Sequence, residues 1–261
     1  MNRPTFATAD NVLLAGHRSL ADGTPRGAVV LAHGFSSTAE DPAVTAVAVG
    51  LNDAGFDVIT YDARGHGGSE GESTLGDLEE HDVGAAVTEA RTRSEFVVLV
   101  GASMGGIAVL RYAASHADID GVVSVSTPAR WQLPRTPTAM LTAGITRTRL
   151  GRHLASRYLR VRVAQKWNSP DPPIDLIPKI GAPVALIHGT RDRFIPASAA
   201  EDLFDVASEP RQLRIVEHMG HAFDEAAVPA VIDAVNWTVE SVPVPAALRP
   251  GGLSGQIADD A

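Results

Sequence analysis

The segment GASMGG, residues 101–106, sets Ser103 between Gly101 and Gly105. The apolar run FVVLV (96–100) precedes it and IAVLRYAA (107–114) follows. A strand that turns sharply into a helix through G-x-S-x-G presents a serine hydroxyl as a nucleophile. The turn holds the serine in a sparsely allowed backbone conformation, and side chains two positions away on either side would collide, hence glycine at both. The helix that follows aims its free N–H groups and positive dipole end at the serine oxygen, where an oxyanion would develop. On its own the pattern is weak, because a Gly-rich turn with an idle serine has the same spelling. The flanking strand and helix give it weight.

A serine hydroxyl is a poor nucleophile at its own pKa, so it needs a base, and the base needs an orienting acid. In an α/β sheet the chain order is serine, acid, histidine. His116 falls in the helix after the turn, His153 in an irregular insert and His188 at the end of a strand. His221, in EHMGHAFDE between the last strand and the last helix, is the best base, with His218 its rival. The H-x-x-H spacing of that pair also fits a metal site, but no third ligand stands nearby, and no metal or cofactor is expected. The acid is Asp192 in HGTRDRFIP, in a loop past the strand VALI and just before a proline-initiated helix. Its bland alternative is a helix-cap charge. Asp205 belongs to a helix and Asp224 follows the histidine, so both fit the order worse.

The transition-state oxyanion needs two N–H donors. One is the amide of Met104. The other is the amide of Phe35 in the loop HGF (33–35), where Gly34 would allow the turn that points it inward. His33 reads as a buried imidazole bracing that loop. YDARGHGGS (61–69) reads as a structural loop at a strand end. Its glycines do not fit G-x-G-x-x-G and no acid is placed for a ribose, which argues against a nucleotide.

These loops must hang from strands. Runs at 28–32, 56–61, 96–100, 121–125, 184–187 and 212–216 are apolar without polar alternation, as in strands covered on both faces of a parallel sheet. Between them, Val44, Val47, Ala48 and Leu51 mark one helical face, and Leu78, Val83, Ala86, Val87 and Ala90 another. Ile107, Leu110, Ala113 and Ala114 mark a third, and Val228, Val231, Ile232 and Val235 the last. The alternation predicts an α/β fold with a mostly parallel, doubly wound sheet and its chemistry at the carboxyl ends of the strands. Residues 1–126 and 179–240 make this core. Residues 127–178 break the period as a short helical insertion, and the Pro- and Gly-rich stretch 241–261 reads as a flexible tail.

The insertion is chemically distinct. It holds nine Lys and Arg against two Asp and Glu, a balance of +7, while the remaining 13 basic and 29 acidic residues give −16. Leu150, Leu154, Tyr158 and Val161 fall at helical spacing and are expected to pack onto the core, leaving arginines on the flanks. A pocket arginine there would favour substrates with a carboxylate or phosphate. The overall charge of −9 repels a phosphate backbone and argues against nucleic acid as a partner. The absence of Cys excludes disulfides, thiolate metal sites and a cysteine nucleophile. No apolar run reaches the ~20 residues that span a bilayer and the N-terminus lacks a signal-peptide core, so the expectation is a cytoplasmic protein without membrane insertion.

HGF, YDARGHGGS, GASMGG, HGTRDRFIP and GHAF, in this order, resemble the α/β-hydrolase superfamily, especially the bacterial monoacylglycerol lipase and serine aminopeptidase groups, over roughly residues 10 to 240. The resemblance implies Ser103 as nucleophile, Asp192 as acid, His221 as base, Phe35 and Met104 as oxyanion donors, and 127–178 as a cap over the site. Many lipase-like relatives carry His where this chain has Ala102, and the cap is short. A serine rather than an aspartate nucleophile argues against the dehalogenase and epoxide hydrolase branches. The expectation is a cofactor-free serine hydrolase acting on carboxylic esters of small molecules. Amide or thioester hydrolysis and acyl transfer would use the same residues, and a non-catalytic binding protein could keep the fold.

Overall fold

The computed structural model describes residues 4–131, 148–166 and 168–242. Among them eight strands form one sheet: β1 (Thr5–Ala7), β2 (Leu13–Ser19), β3 (Ala28–Ala32), β4 (Asp57–Tyr61), β5 (Val97–Ala102), β6 (Gly121–Val125), β7 (Val184–Gly189) and β8 (Arg211–Val216). Their order is β1-β2-β4-β3-β5-β6-β7-β8, with β2 antiparallel to both neighbours and β3 through β8 parallel. The doubly wound, mostly parallel sheet expected from the sequence is present.

Two layers of helices cover it. Helices α1 (Pro42–Asp53) and α7 (Ala227–Ser241) bury Val44, Val47 and Leu51, and Val231 and Val235, against Val29, Leu31, Val98 and Val100. On the other face α2 (Glu79–Arg91) and α3 (Met104–Ser115) meet Val30, Val97 and Leu99. The central strands β3 to β7 are buried along their whole length, which is why they read as unbroken apolar runs. The expectation of full cover fails at β8, an edge strand whose residues are half-buried or exposed.

Strands β1 and β2 are not expected from the apolar runs of the sequence. Burial alternates along β1 and the first half of β2, and at Gly16 in β2 an added Cβ would come within 2.4 Å of the Phe6 ring. Phe6 supplies the apolar surface that β2 lacks at that point.

The loop 62–69 after β4 is structural, as its sequence suggests. Asp62 accepts from the amides of Ala39 and Gly68, both at 2.8 Å. Arg64, buried, donates from Nε to Asp82 Oδ1 at 2.8 Å and from its two terminal nitrogens to Asp10 at 2.8 and 3.0 Å. This one guanidinium ties the β1–β2 turn and α2 to the loop. Asp82 is fully buried, so Arg64→Met would leave it with no charged partner. That substitution is expected to cost about 3–5 kcal/mol in urea unfolding.

Within the described part of the insertion, α4 (Arg149–Leu154) runs into a single π-helical stretch, Ala155–Leu159. Of the expected apolar stripe Val161 packs down, but Leu150, Leu154 and Tyr158 do not. Leu150 is 68% and Tyr158 74% exposed, and Leu154 is also exposed. The small residues Gly151 and Ala155 face inward instead. Arg160 then adopts a left-handed conformation, φ 55°, which turns the chain so that Val161 and Val163 are buried beside Phe35. Arg162 is stitched to the core loop, its N–H donating to Gly65 O at 2.8 Å and its carbonyl accepting from Ser73 N at 2.7 Å. Helix α5 (Pro173–Leu176) returns the chain to the core with Ile174 and Ile177 buried. Helix α6 (Ser198–Val206) connects β7 to β8. The tail beyond residue 242 and the stretch 132–147, including Arg135 and Arg147 of the basic set, lie outside the described residues.

Candidate active site

Ser103 stands between β5 and α3 with φ 52° and ψ −111°, a conformation that costs a residue with a side chain about 1–3 kcal/mol. Packing explains why the two flanking glycines are needed. A Cβ on Gly101 would lie 2.4 Å from Gly105 O, and one on Gly105 would lie 2.3 Å from Ala32 O and 2.6 Å from His33 O. The helix start therefore touches the ends of both β5 and β3. The Ser103 amide is anchored to Val125 O at 2.9 Å.

Ser103 Oγ lies 3.0 Å from His221 Nε2, and His221 Nδ1 lies 2.7 Å from Asp192 Oδ2. Because the carboxylate only accepts, Nδ1 carries the hydrogen and Nε2 is left to accept from the serine hydroxyl. The loops that carry Asp192 and His221 are pressed together at Gly189, where a Cβ would fall 2.2 Å from Met219 O. Arg191 N bonds Met219 O at 2.9 Å across the same seam.

The Asp192 carboxylate is fully buried and its other oxygen, Oδ1, accepts from Phe194 N at 2.8 Å and Ile195 N at 2.9 Å. Burial pushes its pKa up, but hydrogen bonds from His188 and His221 outweigh that and hold the carboxyl well below the usual range. The rivals are placed elsewhere. Asp224 ties down the His221 loop through the amides of Gly220 and Ala227, Asp205 is exposed on α6, and His218 is exposed. His116 is stacked on Tyr112, and His153 lies in the insertion. Among the described residues no three His, Asp or Glu side chains converge as a metal site.

Neither the Phe35 nor the Met104 amide has a backbone or side-chain acceptor among the described residues. Gly34 passes 3.6 Å from Ser103 Cβ, measured from an added Cβ, so the loop carrying Phe35 lies over the serine. The left-handed residue of that loop is not Gly34 but Ser36, φ 63°. His33 braces it: Ala63 N donates to Nε2 at 2.9 Å, so Nδ1 carries the hydrogen given to Gly34 O at 2.8 Å. Burial, with the neighbouring His66 ring, lowers the His33 pKa to about 4 and keeps it neutral. His66 packs edge-on against both His33 and Phe35.

A family model described as serine aminopeptidase, S33, matches residues 23–173. The chain belongs to the S33 serine aminopeptidase family. It is therefore a hydrolase, and the fold is that of the α/β hydrolases. This S33 member is 30% identical over 275 residues to a monoacylglycerol lipase of Mycolicibacterium smegmatis, an alignment covering 90% of this chain and 96% of that one. It is 28% identical over 188 residues to the uncharacterized protein YqkD of Bacillus subtilis, covering 65% of this chain but only 57% of the relative. An esterase of Pyrococcus furiosus superimposes with a TM-score of 0.71 at 22% identity, over 92% and 91% of the two chains, which shows the shared fold. Among the described residues no helix is long and apolar enough to cross a membrane.

Proposed function

We propose that the protein hydrolyses carboxylic esters of small molecules through an acyl-enzyme on Ser103. The observation that carries this reading is the unbroken hydrogen-bond relay from Ser103 through His221 to Asp192, near two amides that have no acceptor among the described residues. In the first half-reaction Ser103 Oγ attacks the ester carbonyl carbon while His221 Nε2 takes its proton. The amides of Phe35 and Met104 hold the oxyanion of the tetrahedral intermediate. Collapse breaks the bond to the alcohol oxygen, which leaves with the proton from His221. Water then attacks the acyl-enzyme with His221 as base, releasing the acid and restoring Ser103. Asp192 keeps the proton on Nδ1 throughout.

The cap sharpens the substrate class. Arg149, Arg152, His153 and Arg162 line a cleft of about 320 Å³ together with Glu72, Ser156 and Gln165. Val163 forms part of its wall and also belongs to the small cluster against which Phe35 packs. A cationic cleft beside the oxyanion loop suits an ester with an anionic tail, and it disfavours the ammonium group of a peptide N-terminus. Esters are therefore expected to turn over and aminoacyl anilides not to. A carboxylate-tailed ester is expected to exceed its neutral isostere in kcat/KM, with the advantage shrinking in high salt and in Arg149→Ala and Arg162→Ala. Turnover of anilides in preference to esters would overturn the ester reading. Equal values for the two esters, unchanged by the arginine substitutions, would remove the cap from substrate choice.

A further inference from the structure

Resting on the reading of Ser103, His221 and Asp192 as a working triad, we propose that His188 is a positioning residue for it. Its imidazole clamps the Asp192 carboxylate and extends the hydrogen-bonded chain to His188–Asp192–His221–Ser103.

His188 is near the end of β7 and is fully buried. Its Nε2 lies 3.0 Å from Ile195 O and 3.3 Å from Asp192 Oδ2. A carbonyl only accepts, so Nε2 must carry the hydrogen, and that one N–H is shared between the carbonyl and the carboxylate. Nδ1 is buried with no hydrogen-bond partner among the described residues, so the ring's polar contacts all go to the acid loop.

The consequence is a closed clamp. Ile195 donates its N–H to Asp192 Oδ1 and gives its carbonyl to His188, while Asp192 Oδ2 faces both His188 and His221. The turn 192–195 is thereby tied to β7 at the point where the orientation of the carboxylate is decided. The other buried histidines do a different job: His33 bonds only backbone, and His66 braces the loop beside it through Arg64 O. Of the described histidines other than His221, only His188 contacts the side chain of a triad member. Its N–H fixes the plane of the carboxylate and also draws basicity from Oδ2. Loss of that hydrogen removes one of the contacts that hold Oδ2 toward His221 and loosens the 192–195 turn, which slows turnover. It also makes the carboxylate more basic, so that it stabilises protonated His221 better and moves the acid limb of the kcat/KM profile to higher pH.

The test compares His188→Gln, whose side-chain amide can place an N–H near the Nε2 position, with His188→Asn, whose amide is too short to reach it. Both are assayed with an activated ester across pH, with thermal unfolding to show that each folds. His188→Asn is expected to lose about 10- to 100-fold in kcat, the rate equivalent of one hydrogen bond to a charged group, with KM little changed and the acid limb shifted upward. His188→Gln is expected to stay within about threefold of wild type with the limb in place. A Gln variant no better than the Asn variant, or an Asn variant with an unmoved limb, overturns the proposal. Should His188→Asn not fold, the Gln variant decides alone: near-wild-type turnover supports the clamp and a tenfold loss overturns it. Asp192→Asn runs beside them as a control. If it retains full activity the triad reading itself fails, whereas if it collapses while both His188 variants keep wild-type behaviour only the clamp fails.

Discussion

Ser103→Ala is expected to lower kcat by at least about 10³-fold while leaving the unfolding temperature near that of the wild type. Among the described residues the hydroxyl makes one side-chain hydrogen bond, to His221 Nε2, so removing it deletes the proposed nucleophile without opening the core. Nucleophile and base act as one unit. Ser103→Ala combined with His221→Ala is therefore expected to fall no further than either change alone, and steady-state kinetics on the three variants checks this. Losses that multiplied instead would mean that the two residues serve separate steps.

Asp192→Asn is expected to cost up to about 10⁴-fold in kcat with the fold intact. An amide nitrogen facing His221 Nδ1 would favour the tautomer with the hydrogen on Nε2, which then cannot accept from Ser103. Asp205→Asn, an exposed change on α6, is expected to be near neutral. An exchange of those two outcomes would reassign the acid. The depressed pKa of Asp192 also has a sign for stability. Ionised Asp192 stabilises the fold above its unfolded value of about 4, and that contribution is lost as pH falls toward the folded value. Acid unfolding of Asp192→Asn is thus expected to lack part of the wild-type pH dependence.

The residues of the relay were legible in the sequence because each sits where local chemistry is spelled out: an elbow flanked by glycines, and two loops that follow buried strands in a fixed order. Other parts were not. The i, i+4 spacing of Leu150, Leu154 and Tyr158 looks like a buried stripe, yet the close approach of the insertion selects Gly151 and Ala155 for the inner face. Periodicity reports which face is apolar, not which face is tight. Strand β2 hid because Phe6, ten residues away, fills the gap over Gly16. His188 read as a strand end because its partner Asp192, four residues on, returns to it through a loop rather than a helical turn. Nothing in the spacing H-G-T-R-D distinguishes that return from two unrelated polar residues.

The central claim, that Ser103 is the nucleophile, is tested most directly by treating the folded protein with a fluorophosphonate and mapping the adduct by intact mass and peptide sequencing. One adduct per chain, on Ser103, absent from Ser103→Ala and slowed in Asp192→Asn, is the expected result. Modification at a different serine, or no adduct on folded protein that still turns over ester, would contradict it.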